Sequence, residues 1–74
     1  MLETIVARVL DIPPDTVTDD LGPAVAAGWT SLRHVQLVSA VQKEYGVKLS
    51  PRAIRSIRTV RDLRDALTAQ GVAL

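Results

Sequence analysis

Cysteine is absent from the 74 residues. That excludes disulfides, thiolate zinc sites and cysteine nucleophiles at once. Aromatics are scarce, with one Trp, one Tyr and no Phe, so a core must be built from Leu, Val, Ile and Ala. A single His makes no metal centre unless several carboxylates converge on it. No apolar run reaches the roughly 20 residues of a membrane span, and no signal-peptide pattern opens the chain. These absences predict a soluble, cytoplasmic monomer with no membrane partner.

Length allows one domain, residues 1–74, and no second one. Met1 fits either a free-standing protein or a domain cut from a larger synthase and given an added Met. Each buried Leu or Val stabilises the fold by about 1.5–3 kcal/mol. Ordering entropy opposes this at about 1.5 kcal/mol per residue. A deep enclosed catalytic pocket is therefore not expected in so small a domain. Net charge is only +1, but it is unevenly spread. Residues 1–32 carry five acids (Glu3, Asp11, Asp15, Asp19, Asp20) against Arg8, whereas residues 33–74 carry eight bases against Glu44, Asp62 and Asp65. The basic C-terminal half bears on the sign of a partner rather than on the fold.

Helical apolar spacing begins with Leu2, Ile5, Val6, Val9 and Leu10. Ile12-Pro13-Pro14-Asp15 is read as ending that helix, because proline disfavours helical geometry in the residue before it. Residues 11–30 form a long loop with three prolines and two glycines. A loop of that length in a small domain needs a reason, and Leu21, Val25 and the alanines are expected to pin it to the core. The next helix runs from Ser31 to Tyr45, with Val35, Val38, Val41 and Tyr45 as its apolar stripe and Leu37 at the edge. Thr30 is its expected N-cap, and Gly46 its left-handed C-cap. Tyr45 is expected to pack its ring and leave its hydroxyl at the edge. Ser50-Pro51 opens a short helix carrying Ala53, Ile54 and Ile57. Thr59-Val60-Arg61-Asp62 has capping-box spacing before a last helix with Val60, Leu63, Ala66 and Leu67, ending near Gly71. The expected class is all-α, a four-helix bundle with three longer helices, a short third one and a long first loop.

Chemistry concentrates in Gly28-Trp29-Thr30-Ser31-Leu32. The run sets a serine hydroxyl where free amides and the positive end of a helix dipole favour a negative group. Gly28 is expected to give the loop the freedom to expose it. Trp29 either packs the loop down or meets cargo or a partner. His34, one turn after Ser31, lacks an evident orienting group and is expected at the lip of the core rather than as a general base.

With these residues the chain resembles the acyl carrier protein family, whose Gly-x-Asp-Ser-Leu run opens a second helix. The similarity continues through Val35-Gln36-Leu37-Val38, Val41, Tyr45-Gly46-Val47 and Thr59-Val60-Arg61-Asp62-Leu63. It reaches back to Leu10-Asp11-Ile12-Pro13 and Val17-Thr18. The resemblance implies a bundle of acyl-carrier type and a non-catalytic role. It implies that a phosphopantetheinyl transferase places 4′-phosphopantetheine from coenzyme A on Ser31, flanked by the motif residues Gly28, Trp29, Thr30 and Leu32. The arm's thiol would hold cargo as a thioester and present it to acyl- or aminoacyl-loading enzymes and to synthase or transferase domains. Cargo is expected to rest between helices, against Leu32, Val35, Val38, Ile54 and Leu63.

Two departures stand out. The family's Asp before the serine is Thr30 here, which keeps a cap and loses a charge. The family's acidic partner face is also missing, because Leu32, Arg33, Gln36, Ala40 and Lys43 share the outward side of the second helix on a helical wheel. A partner with a neutral or acidic docking patch is therefore expected, in a polyketide or related natural-product pathway. Three alternatives stay open. One is a peptidyl or aminoacyl carrier, although its Gly-Gly-x-Ser core is replaced by Ala27-Gly28-Trp29-Thr30-Ser31. Another is an unmodified helical adaptor. The third is a nucleic-acid-binding module, suggested by Arg52, Arg55, Arg58, Arg61 and Arg64. Against the third, Thr59 with Asp62 would split the row, a three-residue period drifts around a helix, and the pI of about 8.3 is modest. No nucleic-acid partner is expected.

Overall fold

Helix α1 spans Leu2–Leu10 in the computed structural model, which describes residues 2–74; the reading of Met1 lies outside them. It buries Leu2, Ile5, Val6, Ala7 and Leu10, while Val9 is only half-buried. The helix stops before the prolines. Asp11 takes a left-handed conformation (φ 58°), and the Ile12 amide reaches back to the Ala7 carbonyl at 3.0 Å. Aspartate tolerates that geometry better than most residues, and nothing in the local sequence marks it strongly.

Helix α2 covers Ser31–Tyr45, α3 Pro51–Ser56 and α4 Val60–Ala69. No strand occurs among the described residues. The same closure that ends α1 ends α2 and α4. Gly46 (φ 65°) and Gly71 (φ 87°) are left-handed, and the Val47 and Val72 amides return to Gln42 and Leu67 at 3.2 and 3.1 Å. In all three cases the next residue (Ile12, Val47, Val72) packs against the core, which is the apolar contact that accompanies this motif. Each of the last three helices starts on a hydroxyl cap. Thr30, Ser50 and Thr59 accept from the amides of Arg33, Ala53 and Asp62. The return bond of the capping box differs from expectation, because the Asp62 carboxylate accepts from the Arg58 amide at 3.0 Å, one residue before the cap. Ile57 follows α3 as its C-cap instead of lying in it.

Leu37, Val38 and Val41 carry α2's contribution to the core, and Leu37 lies at its centre, 1% exposed. Val35 does not join them, being 62% exposed. At about 100° per residue, Val35 lies roughly 110° from the line between Leu37 and Val38, so the three-residue spacing from Val35 to Val41 drifts off the buried side. Leu2, Val6, Val60, Leu63 and Leu67 complete the fully buried set.

The connection from 11 to 30 is folded rather than slack. Pro14–Thr16 forms a short 3₁₀ turn with proline in its first turn, an element not expected from the sequence. Ile12, Val17, Leu21 and Ala26 pack on the core, whereas Val25 is 73% exposed and does not pin the loop. Backbone straps do that instead. The Val60 and Arg61 amides, the first two of α4, donate to the Leu21 and Asp19 carbonyls at 2.9 Å each. Arg64 adds ion pairs to Glu3 (2.7 Å) and Asp19 (3.2 Å), and its hydrogen bond lowers the Glu3 carboxyl below its usual value. Arg61 pairs with Asp20 at 3.0 Å. The arginine row is thus divided at Thr59, where α4 begins.

Gly22 is buried where loop and α4 entry meet, and an added Cβ would fall inside the envelope of the Arg58 carbonyl. Gly22→Ala should lower stability by about 1–3 kcal/mol. Gly28→Ala, facing open space, should stay within about 0.5 kcal/mol. Urea denaturation of both variants checks the contrast.

Candidate functional site

The four amides of α4's first turn are all used inside the protein. Two go to loop carbonyls, one to the Thr59 hydroxyl and one, from Leu63, to the Thr59 carbonyl. The start of α2 is different. Thr30, extended at φ −83° and ψ 173°, receives the Arg33 amide on its hydroxyl at 3.2 Å and the His34 amide on its carbonyl at 2.8 Å. The amides of Ser31 and Leu32 have no protein partner among the described residues. Ser31 is the first helical residue and is exposed. Its hydroxyl therefore sits at an open helix start with two free donors beside it, where an attached anion is favoured.

Trp29 holds this arrangement in place. It is 3% exposed, and its indole N–H donates to His34 Nδ1 at 3.1 Å. An indole only donates, so Nδ1 must accept and the ring proton must lie on Nε2. That atom faces the Ile54 carbonyl at 3.0 Å and donates to it. One hydrogen-bond chain thus joins loop, α2 and α3. Trp29 packs the loop down, and His34 has an orienting partner at each nitrogen and no lone pair to offer Ser31. It cannot serve as its general base.

Beside Ser31 lies an open cavity of about 350 Å³. Its walls are Pro23, Trp29 and Thr30 from the loop, Ser31, His34 and Val35 from α2, and Ile54 and Arg55 from α3. No carboxylate lines it. Among the expected pocket residues, Val35 and Ile54 do line it. Val38 and Leu63 are 4% and 0% exposed and belong to the closed core, not to the walls of this cavity. Leu32, 65% exposed, lies on the outer side of the helix start. Gly28 stands in open space without a left-handed φ, so its backbone does not require glycine.

The outward side of α2 is also revised. Gln36 and Lys43 are exposed. Ala40 is half-buried and packs on the core. Arg33 is half-buried, and its guanidinium donates to the Val9 carbonyl at the end of α1; it is a tether rather than a free charge. Sequence reasoning did not find His34 as a linking residue, although Trp29 five residues before it was a signal. It also counted Arg55 only as one of a row. No group of acidic, His or Cys side chains suited to a metal occurs among the described residues, and no helix there is long and apolar enough to cross a membrane.

Comparison with known proteins identifies both a family and a fold. A family model described as the phosphopantetheine attachment site matches residues 2–67. A solved structure from Mycobacterium tuberculosis, of a protein assigned as an acyl carrier protein, superposes with a TM-score of 0.83. It is 22% identical, over 93% of this chain and 92% of that one, and at that identity the likeness is one of fold. No curated protein sequence matches the chain.

Removing either end of the Trp29–His34 bond strands a partner in a poorly solvated place. His34→Ala should cost about 1–3 kcal/mol and Trp29→Phe at least about 1 kcal/mol. The double variant should lose less than the sum, by about 0.5 kcal/mol or more. Chemical denaturation of the four proteins measures the coupling, and strictly additive losses would show that the bond does not link them.

Proposed function

The chain belongs to the phosphopantetheine attachment-site family, and on that premise we propose that Ser31 carries the 4′-phosphopantetheine of an acyl carrier serving a polyketide or related natural-product pathway. The observation that carries this reading is an exposed serine at the first position of α2, with the free amides of Ser31 and Leu32 beside it and an apolar cavity at its side. The family is non-catalytic. When bound, the arm supplies a terminal thiol that holds cargo as a thioester.

The residues present fit such a group. Ser31 offers a solvent-facing hydroxyl, the amides of Ser31 and Leu32 face the new negative charge, and Val35 and Ile54 give apolar contact to the arm or its cargo. The serine oxygen forms its bond to phosphorus as the pyrophosphate bond of coenzyme A breaks, and adenosine 3′,5′-bisphosphate leaves. Its proton goes to a base on the phosphopantetheinyl transferase, because both nitrogens of His34 are occupied. Thr30 serves as cap through its hydroxyl in place of the family's aspartate, so this cap does its structural work without a charge.

The specialised pathway is favoured by the face that partners would meet. Along α2 the only acid is Glu44, near the far end from Ser31. Leu32, Gln36 and Lys43 form the proposed docking side, with Arg33 and Ala40 supporting it from below. Loading enzymes, synthase or transferase domains that dock there would need neutral or acidic patches. A peptidyl carrier is less favoured, since Ala27-Gly28-Trp29-Thr30 precedes the serine.

Incubation with coenzyme A and a broad-specificity transferase, followed by intact-mass measurement, tests the assignment. The wild type should gain one phosphopantetheine and Ser31→Ala none. A wild type that stays unmodified with several transferases, or a Ser31→Ala variant that still gains the arm, would contradict it.

A further inference from the structure

The attachment proposed for Ser31 has an electrostatic consequence, and the role assigned to Arg55 rests on that reading. Esterification turns a neutral hydroxyl into a phosphodiester anion. In the cavity beside Ser31 nothing negative opposes that charge, and one cation lines it: Arg55, in the last turn of α3. Three other arginines are engaged, and Arg52 and Arg58, which also lack a guanidinium partner among the described residues, do not line this cavity. Arg33 is bound to the Val9 carbonyl, Arg61 to Asp20, and Arg64 to Glu3 and Asp19. Arg55 has no hydrogen-bond or ion-pair partner for its guanidinium among the described residues.

Local sequence leaves it free. From Tyr45 to Arg61 there is no acidic residue, and the next one, Asp62, spends its carboxylate on the Arg58 amide. His34, the other titratable group on this wall, has both ring nitrogens bonded. Arg55 also lines a neighbouring pocket, with Pro23, Ala24, Ile57 and Arg58, so Arg55 and Pro23 stand at the partition between the two. A guanidinium at that partition presents a planar fork suited to two oxygens of one phosphate.

We propose that Arg55 is a positioning residue for the carrier arm: its guanidinium pairs with the phosphodiester on Ser31 and holds the root of the arm against α3. The arm then leaves Ser31 along the wall made by Val35 and Ile54 rather than straight into solvent. The cation that meets the arm thus comes from α3, and it acts on the protein's own prosthetic group and not on the α2 docking side.

The test uses apo and fully modified forms of the wild type, Arg55→Gln, Arg55→Lys and Arg52→Gln, with intact mass establishing one arm per chain. At low salt the modified wild type should melt about 2–4 °C above its apo form. Its phosphodiester ³¹P resonance should move as sodium chloride is raised. Arg55→Gln should lose both effects, Arg55→Lys should keep part of them, and Arg52→Gln should behave as wild type. Comparing modified with apo protein removes any general effect of a substitution on folding. An arm that adds normally while Arg55→Gln matches wild type in both readouts overturns the role of Arg55 and leaves the carrier reading standing. A wild type that takes no arm overturns both.

Discussion

The exposed serine depends on a hydrogen-bond chain that runs from the Trp29 indole through the His34 ring to the Ile54 carbonyl. A protein without disulfides and with little aromatic mass has few ways to fix a long loop against two helices. This chain uses the one tryptophan and the one histidine to do it. Trp29 is the last loop residue before the cap, so burying it sets where the backbone enters α2. The cap at Thr30 then orients the first turn, and Ser31 is left facing outward. His34 bonds on both sides, which joins α2 to α3 and props open the cavity between them. Structure and chemistry meet in the ring's tautomer, because the arrangement that holds the loop also withholds a base from the serine.

Two helix starts show how the same cap serves opposite ends. At α4, loop carbonyls and Thr59 take up every first-turn donor, and the loop is strapped down as a result. At α2, Thr30 takes up two and leaves two beside the serine. The open start carries exposed apolar side chains on its own first turns: Leu32 and Val35 are 65% and 62% exposed. Together with Arg55 they give the serine a surface that is apolar and cationic. Exposed apolar side chains beside the serine suit a carrier that must be handled by other proteins.

The helices and their caps were legible in the sequence, because Ser, Thr, Gly and Pro have strong local preferences that packing did not override. Thr30, Gly46, Ser50, Thr59 and Gly71 all stand where those preferences put them. Asp11 escaped notice because only a minority of aspartates take a left-handed conformation. Val35 was misplaced by a three-residue spacing that slides off the buried side of a 3.6-residue helix. Val38 and Leu63 were apolar and near the right helices, but whether such residues face a cavity or a closed core is decided by tertiary packing. The roles of Arg33 and His34 rest on partners 24 and 20 residues away, and no local pattern records them.

The tautomer and bonding of His34 test this account most directly. Nitrogen-15 NMR of the imidazole, read with the exchange rate of the Trp29 indole proton, reports both bonds in one sample. The account predicts a protonated Nε2, a bare Nδ1 and an indole proton that exchanges slowly. A proton on Nδ1, or an indole proton that exchanges as fast as that of free tryptophan, would contradict it.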